Sequence, residues 1–360
     1  MYFCKSQRFL LEHFLRIDTS RPEGWLSALQ ILTTSPRLSR KILSPKNRGE
    51  FRARLSSLQS DNLSVLGCYL RNPSMISGVN AGFATIVMPV EGQVDFKVLG
   101  NHYLCGPWMP FLLEPDEDFH ATLSEETHIL IIQLPCLTVS GERPSFRRRR
   151  GPLVELIAAF LFETPFFCDY KHAQSRLEQF SAELYEFTES DRALPTELDH
   201  RKQVRSDRRL CSAIQLMNDE LDTDIDIESI ASRSGLSLRN LHYLMRQYIG
   251  QSPYQYLRGR RLIKARESII RNYPENISIA QHALNSGFQH TGRFSGYYEK
   301  HFGEYPSQTL STLDHLKQLS GKVRASRDGD GNTRQQWLTS FARSTTDRVR
   351  TNAALNEQEP

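Results

Sequence analysis

Side chains that can hydrogen-bond to nucleic-acid bases or phosphates recur at helical spacing in the second half of the chain. Arg239, His242, Tyr243 and Arg246 follow one another at steps of three, one and three residues. Residues at this spacing share one face of a helix. Arginine can bind guanine through two hydrogen bonds, and histidine and tyrosine can contact base edges or phosphate. The pattern predicts a helix with base-reading side chains on its outer face.

A second candidate helix follows later in the chain, but it offers fewer groups for reading bases. Arg293 is its base-reading candidate, and Ser295 is a short neighbour that allows close approach to DNA. Gly292 and Gly296 carry no side chain that could reach a base. We expect His290 near a phosphate, with simple solvation as the alternative.

Both sets of candidates lie in copies of one short pattern, from Gly235 to Pro253 and from Gly287 to Pro306. The matched positions are Leu241 and Phe294, Ile249 and Phe302, Gly250 and Gly303, and Pro253 and Pro306. A short helical stretch that ends in a glycine turn precedes each copy. Two helices joined by such a turn form a helix-turn-helix unit, whose second helix can enter the major groove. Two units in tandem indicate this structure far more strongly than one.

The distribution of charge favours a phosphate-binding surface. The net charge is only +4, but residues 219–228 carry six acidic side chains, whereas residues 233–266 carry eight Arg or Lys and no Asp or Glu. The basic window includes a helix predicted from Tyr254 to Asn272, long enough to bridge the two units. We expect its basic side chains near the surface: Arg258, Arg260, Arg261, Lys264 and Arg266. Of these, Arg258 and Lys264 are candidates for phosphate contacts, with a solvated basic face as the alternative.

The first part of the chain has the residue pattern of an antiparallel β-domain. Between Arg52 and Leu137, short apolar runs alternate with Gly, Pro, Asn and Asp, which indicates closely spaced strands of a sandwich or barrel. Two helical patterns follow, and the second carries an apolar stripe formed by Leu177, Phe180, Leu184 and Phe187. This stripe either packs on the β-domain or supplies a dimer interface.

The predicted fold class is α+β, with a β-barrel domain followed by an all-α domain. Residues 1–190 form the first domain, residues 191–206 a polar linker and residues 207–313 the helical domain. Residues 320–360 are too polar to bury a core and are predicted to be a disordered tail. The run Arg147–Arg150 is expected to be a solvated loop, with a direct contact to nucleic acid as the alternative.

Composition and motifs argue against an enzyme, a metalloprotein and a membrane protein. The six cysteines show no CxxC and no paired Cys/His spacing, so reduced structural thiols are expected rather than a zinc site. His102, His120 and His128 are too scattered to suggest a metal site. No nucleophile elbow or phosphate loop occurs, and no apolar run reaches the roughly 18 residues of a membrane span. We expect no catalytic activity, no cofactor, no metal and a cytoplasmic location.

The segments from Ile230 to Arg266 and from Ala283 to Leu310 resemble the AraC/XylS family of bacterial transcription regulators. The second segment, with GF, GRF and FGEYPSQTL, is most similar to the XylS branch, which is linked to aromatic-acid catabolism. His282 stands where many family members have Val or Ile, and Thr309 with Leu310 where many have Tyr-Arg. Thr-Leu at these positions is compatible with the XylS branch. A histidine in place of Val or Ile at position 282 would be expected to affect how tightly the second unit packs.

The resemblance implies two recognition helices in successive major grooves on one face of the DNA. It also implies that the N-terminal domain is a cupin-like barrel that binds a small effector and dimerises. The leading hypothesis is therefore a sequence-specific, effector-responsive activator. Its partners would be double-stranded promoter DNA, a small molecule, RNA polymerase and a second copy of the chain. The alternative is a non-specific architectural DNA-binding protein without an effector, although such a protein has no need of a large apolar N-terminal domain.

The sequence offers candidates for an effector site without identifying the effector. Arg52, Arg54 and Arg71 could pair with a carboxylate, such as that of an aromatic acid, and Trp108 and Phe111 could line an apolar pocket. The alternative for each residue is an ordinary place in the core or on the surface.

Overall fold

The computed structural model of the protein describes residues 9–42, 50–80, 82–134, 150–189, 207–221 and 225–325. Contacts group the chain into two compact units. The first contains Met1–Asp18, Ser56–Gly67 and Val139–Leu313, and the second contains Thr19–Leu55, Cys68–Thr138 and Asp314–Pro360. The predicted linker 191–206, the arginines 147–149 and the tail residues 326–360 lie outside the described residues. The domain limits drawn from the sequence stay a prediction.

Strands were predicted between Arg52 and Leu137, and nine of the described strands lie there, whereas two precede this region. The described strands are β1 (Leu15–Thr19), β2 (Ser39–Ile42), β3 (Ala53–Gln59), β4 (Ser64–Leu70), β5 (Ser74–Val79), β6 (Ala84–Glu91), β7 (Val94–Val98), β8 (Asn101–Cys105), β9 (Phe111–Leu113), β10 (Asp118–Leu123) and β11 (Thr127–Leu134). A helix, α1 (Pro22–Leu32), lies between β1 and β2. Buried residues alternate with less buried ones along a strand, so one face of the strand packs in the core. In β7 the buried residues are Val94, Phe96 and Val98.

The strands were predicted to form a sandwich or a barrel, and they form two sheets that do not close into a barrel. One sheet has the order β2-β5-β10-β7-β8, and the other has the order β1-β3-β4-β11-β6-β9. The second sheet ends at β9, a strand of three residues with Pro110 before it and Pro115 shortly after it. Proline has no N–H to donate to a ladder, so these residues limit pairing at this edge. The cupin-like sheet domain and the helical domain are otherwise confirmed.

The described part of the second half of the chain is helical. Its helices are α2 (Arg150–Glu163), α3 (Tyr170–Glu189), α4 (Arg208–Asp219), α5 (Ile227–Arg233), α6 (Leu238–Ile249), α7 (Pro253–Asn272), α8 (Ile279–Asn285), α9 (Thr291–Phe302) and α10 (Pro306–Ala325). Helix α10 continues through residues 320–325, the beginning of the predicted disordered tail. In the preceding turns of this helix, Leu313 and Leu316 are buried. Within the described residues, no helix is long and apolar enough to cross a membrane.

The apolar stripe of α3 is packed inside the chain. Leu177, Phe180, Leu184 and Phe187 are all buried. The Phe180 ring stacks on the Phe160 ring of α2, with centroids 4.2 Å apart. The stripe is thus used by internal packing, and a homodimer would need other residues.

Candidate DNA-binding interface

The first helix-turn-helix unit consists of α5 and α6. Asp226 and Ser237 cap the two helices by accepting hydrogen bonds from backbone N–H groups of their first turns. Gly235 makes the turn with a φ of 73°, a conformation that glycine adopts without strain. The glycine turn confirms the local structure predicted from the sequence, and the Ser237 cap marks where α6 begins.

The two sides of α6 differ as the sequence pattern requires. Leu241, Leu244 and Met245 are buried in a cluster that also contains side chains of α4 and α5. On the opposite side, Arg239, Tyr243 and Arg246 are exposed and His242 is half-buried. The four candidate reading residues therefore share one accessible face of a helix whose other face is fixed by apolar packing.

The second unit, α8 and α9, repeats this plan with different chemistry. Ser278 caps α8, and Gly287 makes the turn with a φ of 86°. At the start of α9, His290 occupies the N-cap position, but its side chain makes no capping hydrogen bond. Arg293 and His290 are exposed and Ser295 is half-buried. The buried positions of α9 are Phe294, Tyr298, His301 and Phe302.

Two arginines of the bridging helix α7 were expected near the surface and are instead buried. Arg260 forms an ion pair with Glu12, and both side chains are almost fully buried. Although burial disfavours its charge, the neighbouring Glu12 carboxylate raises the pKa of Arg260. Arg266 is also buried. The prediction was wrong because the segment Phe9–Asp18 covers a side of α7 that the local pattern leaves polar. These two cations are not available to phosphate.

Arg258 and Lys264 keep access to solvent, as a phosphate contact would require. Arg258 is exposed and Lys264 is half-buried. The guanidinium carbon of Arg258 also lies 4.5 Å from the centre of the Tyr297 ring, within the range of a cation–π contact. Arg258 thus joins α7 to α9 as well as presenting a charge.

Arg266 is the centre of a buried polar network around α9. Its Nε donates to the carbonyl oxygen of Leu15 at 2.9 Å, Nη1 to the Tyr298 hydroxyl at 3.2 Å, and Nη2 to Glu304 Oε1 at 2.6 Å. Thr309 donates to the same Glu304 oxygen at 2.8 Å. Burial alone would raise the pKa of Glu304, but the charges of Arg266 and Arg16 hold it at about 2. The carboxylate therefore remains ionised and paired.

His282, a position at which the chain departs from many family members, is well packed within the second unit. The side chain is buried, and its Nδ1 lies 2.9 Å from the Ser268 hydroxyl oxygen. Burial lowers the pKa of His282, so the ring is neutral near neutral pH. A polar side chain at this position is accommodated because α7 supplies a hydrogen-bonding partner.

Sequence reasoning did not select Tyr254, which lies beside the first reading face. Its side chain is 62% exposed, and its ring centroid is 6.1 Å from that of His242. The available signal was an aromatic residue at the start of the basic helix predicted from Tyr254 to Asn272. Tyr254 therefore joins the candidates of the first unit.

The effector candidates do not converge on one place. The backbone N–H of Arg71 donates to the Arg52 carbonyl at 2.9 Å, and Arg71 pairs with Glu126 at 3.4 Å. Arg54 is half-buried and lies on β3, two residues after Arg52, which precedes the strand.

The aromatic candidates lie by β6 and β9. Phe111 is buried and stacks on Phe96 with centroids 4.4 Å apart, and the Trp108 N–H donates to the Pro89 carbonyl at 2.7 Å. In the sheet order, β11 and β6 separate β4 from β9. Phe111 therefore has a core role.

The described cysteines are thiols with no sign of activation. Cys68, Cys105, Cys168 and Cys211 form no disulfide. Burial raises the pKa of Cys68 to about 12 and that of Cys168 to about 11, so both remain protonated near neutral pH. Among the residues with described positions, no group of three or more His, Cys, Asp or Glu could hold a metal ion.

The two accessible helix faces, joined by α7 in a chain that also carries a cupin-like sheet domain, define a class of protein: a two-domain transcription regulator. Comparison with known proteins identifies the family. Residues 41–159 match the AraC-binding-like domain, and residues 230–312 match a helix-turn-helix domain. The chain belongs to the AraC family and is XylS-like within it.

Named relatives agree with this assignment. The chain is 25% identical over 238 residues to XylDLEGF operon transcriptional activator 1 of Pseudomonas putida, covering 61% of this chain and 70% of that protein. It is 34% identical over 109 residues to the HTH-type transcriptional activator RhaS of Escherichia fergusonii, covering 30% and 38%. The solved structure of the AraC-like transcriptional activator CuxR aligns with 75% of this chain and 99% of its own, at 13% identity and a TM-score of 0.36.

Proposed function

We propose that this chain activates transcription by binding promoter DNA through α6 and α9 when a small molecule occupies the N-terminal domain. The observation that carries the proposal is the matched exposure of Arg239 and Arg293, each in the first turn of a helix that is packed by its opposite face. A guanidinium in that position can reach guanine when the helix enters the major groove.

The two recognition helices divide the work unequally. In the first, Arg239, His242 and Tyr243 contact base edges and Arg246 contacts base or phosphate. In the second, Arg293 is the reader. The remaining candidates position the protein on the DNA backbone: Ser295, His290, Arg258 and Lys264. Phosphate contacts fix register and orientation, whereas base contacts carry the sequence information.

The partners beyond DNA follow from the same proposal. The relatives are named as transcriptional activators, and an activator acts on RNA polymerase at the promoter. A homodimer is proposed through surfaces of the N-terminal domain other than the α3 stripe. The relatives are regulators, which supports a regulatory rather than an enzymatic role.

An aromatic carboxylic acid is the proposed class of effector. Arg71 supports this choice because it already binds a carboxylate, that of Glu126, at the end of β4. An effector carboxylate could take the place of Glu126. Thermal unfolding of the full chain with an aromatic acid, and with the corresponding amide, tests this: the acid should stabilise the wild type more than Arg71→Gln, and the amide should not.

The test of DNA binding compares two duplexes of equal length across a series of salt concentrations. One duplex carries the DNA sequence upstream of the gene that encodes this protein, and the other carries a scrambled version of it. We expect a preference for the native duplex of about a thousandfold or more. The slope of log affinity against log salt should be close to 0.9 per phosphate contact. Equal affinity for both duplexes would instead support the architectural alternative. An affinity that does not change with salt concentration would exclude both the sequence-specific regulator and the architectural protein.

A further inference from the structure

The segment Phe9–Asp18 is bound to the DNA-binding helices by charged contacts. The pairs are Glu12 with Arg260, Arg16 with Glu304 at 3.2 Å, and Asp18 with Arg271 at 3.5 Å. Two of the three partners lie on α7, the helix that connects the two helix-turn-helix units, and Glu304 follows α9. The segment is therefore bound to the parts of the molecule that hold α6 and α9 in their relative positions.

Two histidines stack on each other inside this interface. The rings of His13 and His301 have centroids 5.2 Å apart and planes inclined by 26°. The residues are only 3% and 5% exposed. The His301 ring also packs on α7 at Gly259, where a Cβ would lie 3.2 Å from Cε1, so the absence of a side chain there gives the ring its place.

Each ring has one nitrogen that is free to take up a proton. His301 Nδ1 lies 3.2 Å from the Cys168 carbonyl and so donates to it, and the His13 ring donates to the Phe167 carbonyl. In the neutral ring the other nitrogen then carries no proton. Those nitrogens, Nδ1 of His13 and Nε2 of His301, have no hydrogen-bond partner among the described residues. A proton on either would be buried without an acceptor.

The surroundings of the pair oppose a positive charge. Burial lowers the pKa of His301 to about 4, and it holds the pKa of His13 well below its usual value. Arg260 adds a like charge next to both rings, and Arg258 acts on His301 in the same direction. Other charged or titratable groups on the described elements around the pair include Glu12, Arg16, Cys168, Asp169, Tyr170 and His172. Asp169 favours the charged form, but Glu12 is already paired with Arg260.

We propose that the His13–His301 pair is a proton-binding site whose protonation releases the segment Phe9–Asp18 from the DNA-binding helices. When the segment is released, His13 leaves with it and uncovers the His301 ring on α9, so both imidazoles reach water and can carry a positive charge. The proton is thus a ligand that binds the released state in preference to the docked state. The effect on DNA, though not the release itself, rests on the proposed function, because α7 holds the two recognition helices apart.

The direction of the pH effect follows from linkage. A histidine with a lower pKa when docked than when free contributes its full stabilisation above the free pKa of about 6.5. The contribution is lost as the pH falls below that value, and for His301 the loss continues down to about 4. Between about pH 7.5 and 5.5, one such histidine weakens docking about tenfold and two weaken it about a hundredfold.

Hydrogen exchange of the full chain without DNA or effector measures this release. The readout is the protection factor of peptides from residues 9–18, corrected for the intrinsic pH dependence of exchange, with β11 (Thr127–Leu134) as the internal reference. We expect protection to fall about a hundredfold from pH 7.5 to 5.5 in the wild type and about tenfold in His13→Phe. The double variant His13→Phe, His301→Phe should lose the pH dependence, since phenylalanine keeps an aromatic ring but binds no proton.

The matched control is His102→Phe, a substitution of an exposed histidine on β8, which should behave as the wild type. Constant protection in the wild type across this pH range would overturn the proposal, and so would an equal fall in the double variant. If His301→Phe fails to fold, His13→Phe decides alone, because its pH dependence must be weaker than that of the wild type. The result does not depend on DNA binding, so failure of the proposed function would be seen separately.

Discussion

The two helix-turn-helix units have the same backbone plan but different interiors. The first is fixed mainly by apolar contacts, with Leu210, Leu241 and Met245 fully buried. The second contains the polar network of Arg266 and Glu304 beside its apolar residues. The shared spacing of glycines and apolar residues is enough to specify the backbone, whereas the stability of the second unit also depends on charges being paired. Part of that pairing comes from the distant segment Phe9–Asp18.

The outer faces of the units differ as well. The first recognition helix exposes Arg239, Tyr243 and Arg246, whereas the second exposes Arg293 between the glycines at 292 and 296. Side chains that can discriminate bases are therefore concentrated on the first helix. The second helix can approach the DNA closely but offers one long side chain with which to read it.

The largest effect that would test this comparison is the loss of Arg266. Arg266→Met keeps much of the volume but leaves the half-buried Glu304 carboxylate with a weaker set of partners. Removing one member of a buried ion pair costs roughly 3 to 5 kcal/mol. We expect this loss in the free energy of unfolding, measured by urea denaturation, and an earlier loss of hydrogen-exchange protection in α9 than in α6. Arg239→Met is the control and should change stability by less than about 0.5 kcal/mol. Equal loss of protection in both helices would contradict separate interiors.

The difference between the interiors also shows what the sequence could predict. The turns at Gly235 and Gly287 and the outer face of α6 with its candidate readers follow from local spacing, and both were predicted. The burial of Arg260 could not be, because its partner Glu12 is far away in the sequence and no periodic pattern connects the two. Phe111 shows a related limit, since an aromatic residue suited to a pocket is equally suited to stack on Phe96.

The effector candidates failed to converge for a similar reason. Composition identified Arg52, Arg71, Trp108 and Phe111 as residue types that bind aromatic acids, but it gave no information on strand order. The order of the sheet places β11 and β6 between β4 and β9. Residue type was thus a weaker guide than repeat spacing, which constrains several residues at once.

The second prediction concerns the readers. Arg239→Ala and Arg293→Ala should each relax base preference at one or two positions by about 1 to 3 kcal/mol, in segments of the site about one helical turn apart. Selection from a randomised operator library measures both. Because the two faces differ, Arg239→Ala should keep part of the base selectivity of the first helix through His242 and Tyr243. Arg293→Ala should lose nearly all of the base selectivity of the second helix. If both variants keep the wild-type base preferences and lose only overall affinity, Arg239 and Arg293 are not the readers.

The third prediction uses the unequal caps. Ser237→Ala removes the hydrogen bond at the start of α6 and should cost about 1 kcal/mol of stability. His290→Ser supplies α9 with a capping side chain that it lacks and should stabilise the protein by about 0.5 to 1 kcal/mol. Denaturation midpoints of the two variants, measured against His290→Ala, test the pair. A destabilising His290→Ser would mean that the His290 side chain supports α9 in some other way.

The smallest expected effect concerns Arg258, which connects the two units. A contact with phosphate alone predicts that Arg258→Ala weakens binding to every sequence equally and lowers the salt slope by about 0.9. The stack on Tyr297 adds about 0.5 to 1 kcal/mol that fixes α9 against α7, so preference in the second half of the site should also weaken.

Tyr297 separates the two contributions of Arg258. Tyr297→Leu removes the ring but leaves the Arg258 charge in place, so the salt slope should not change. Selectivity in the half of the site read by Arg293 should fall nonetheless, because α9 is then held less firmly. Tyr297→Phe keeps the ring and serves as the control. Wild-type selectivity in Tyr297→Leu would show that Arg258 acts through its charge alone and that the stack has no part in placing the second recognition helix.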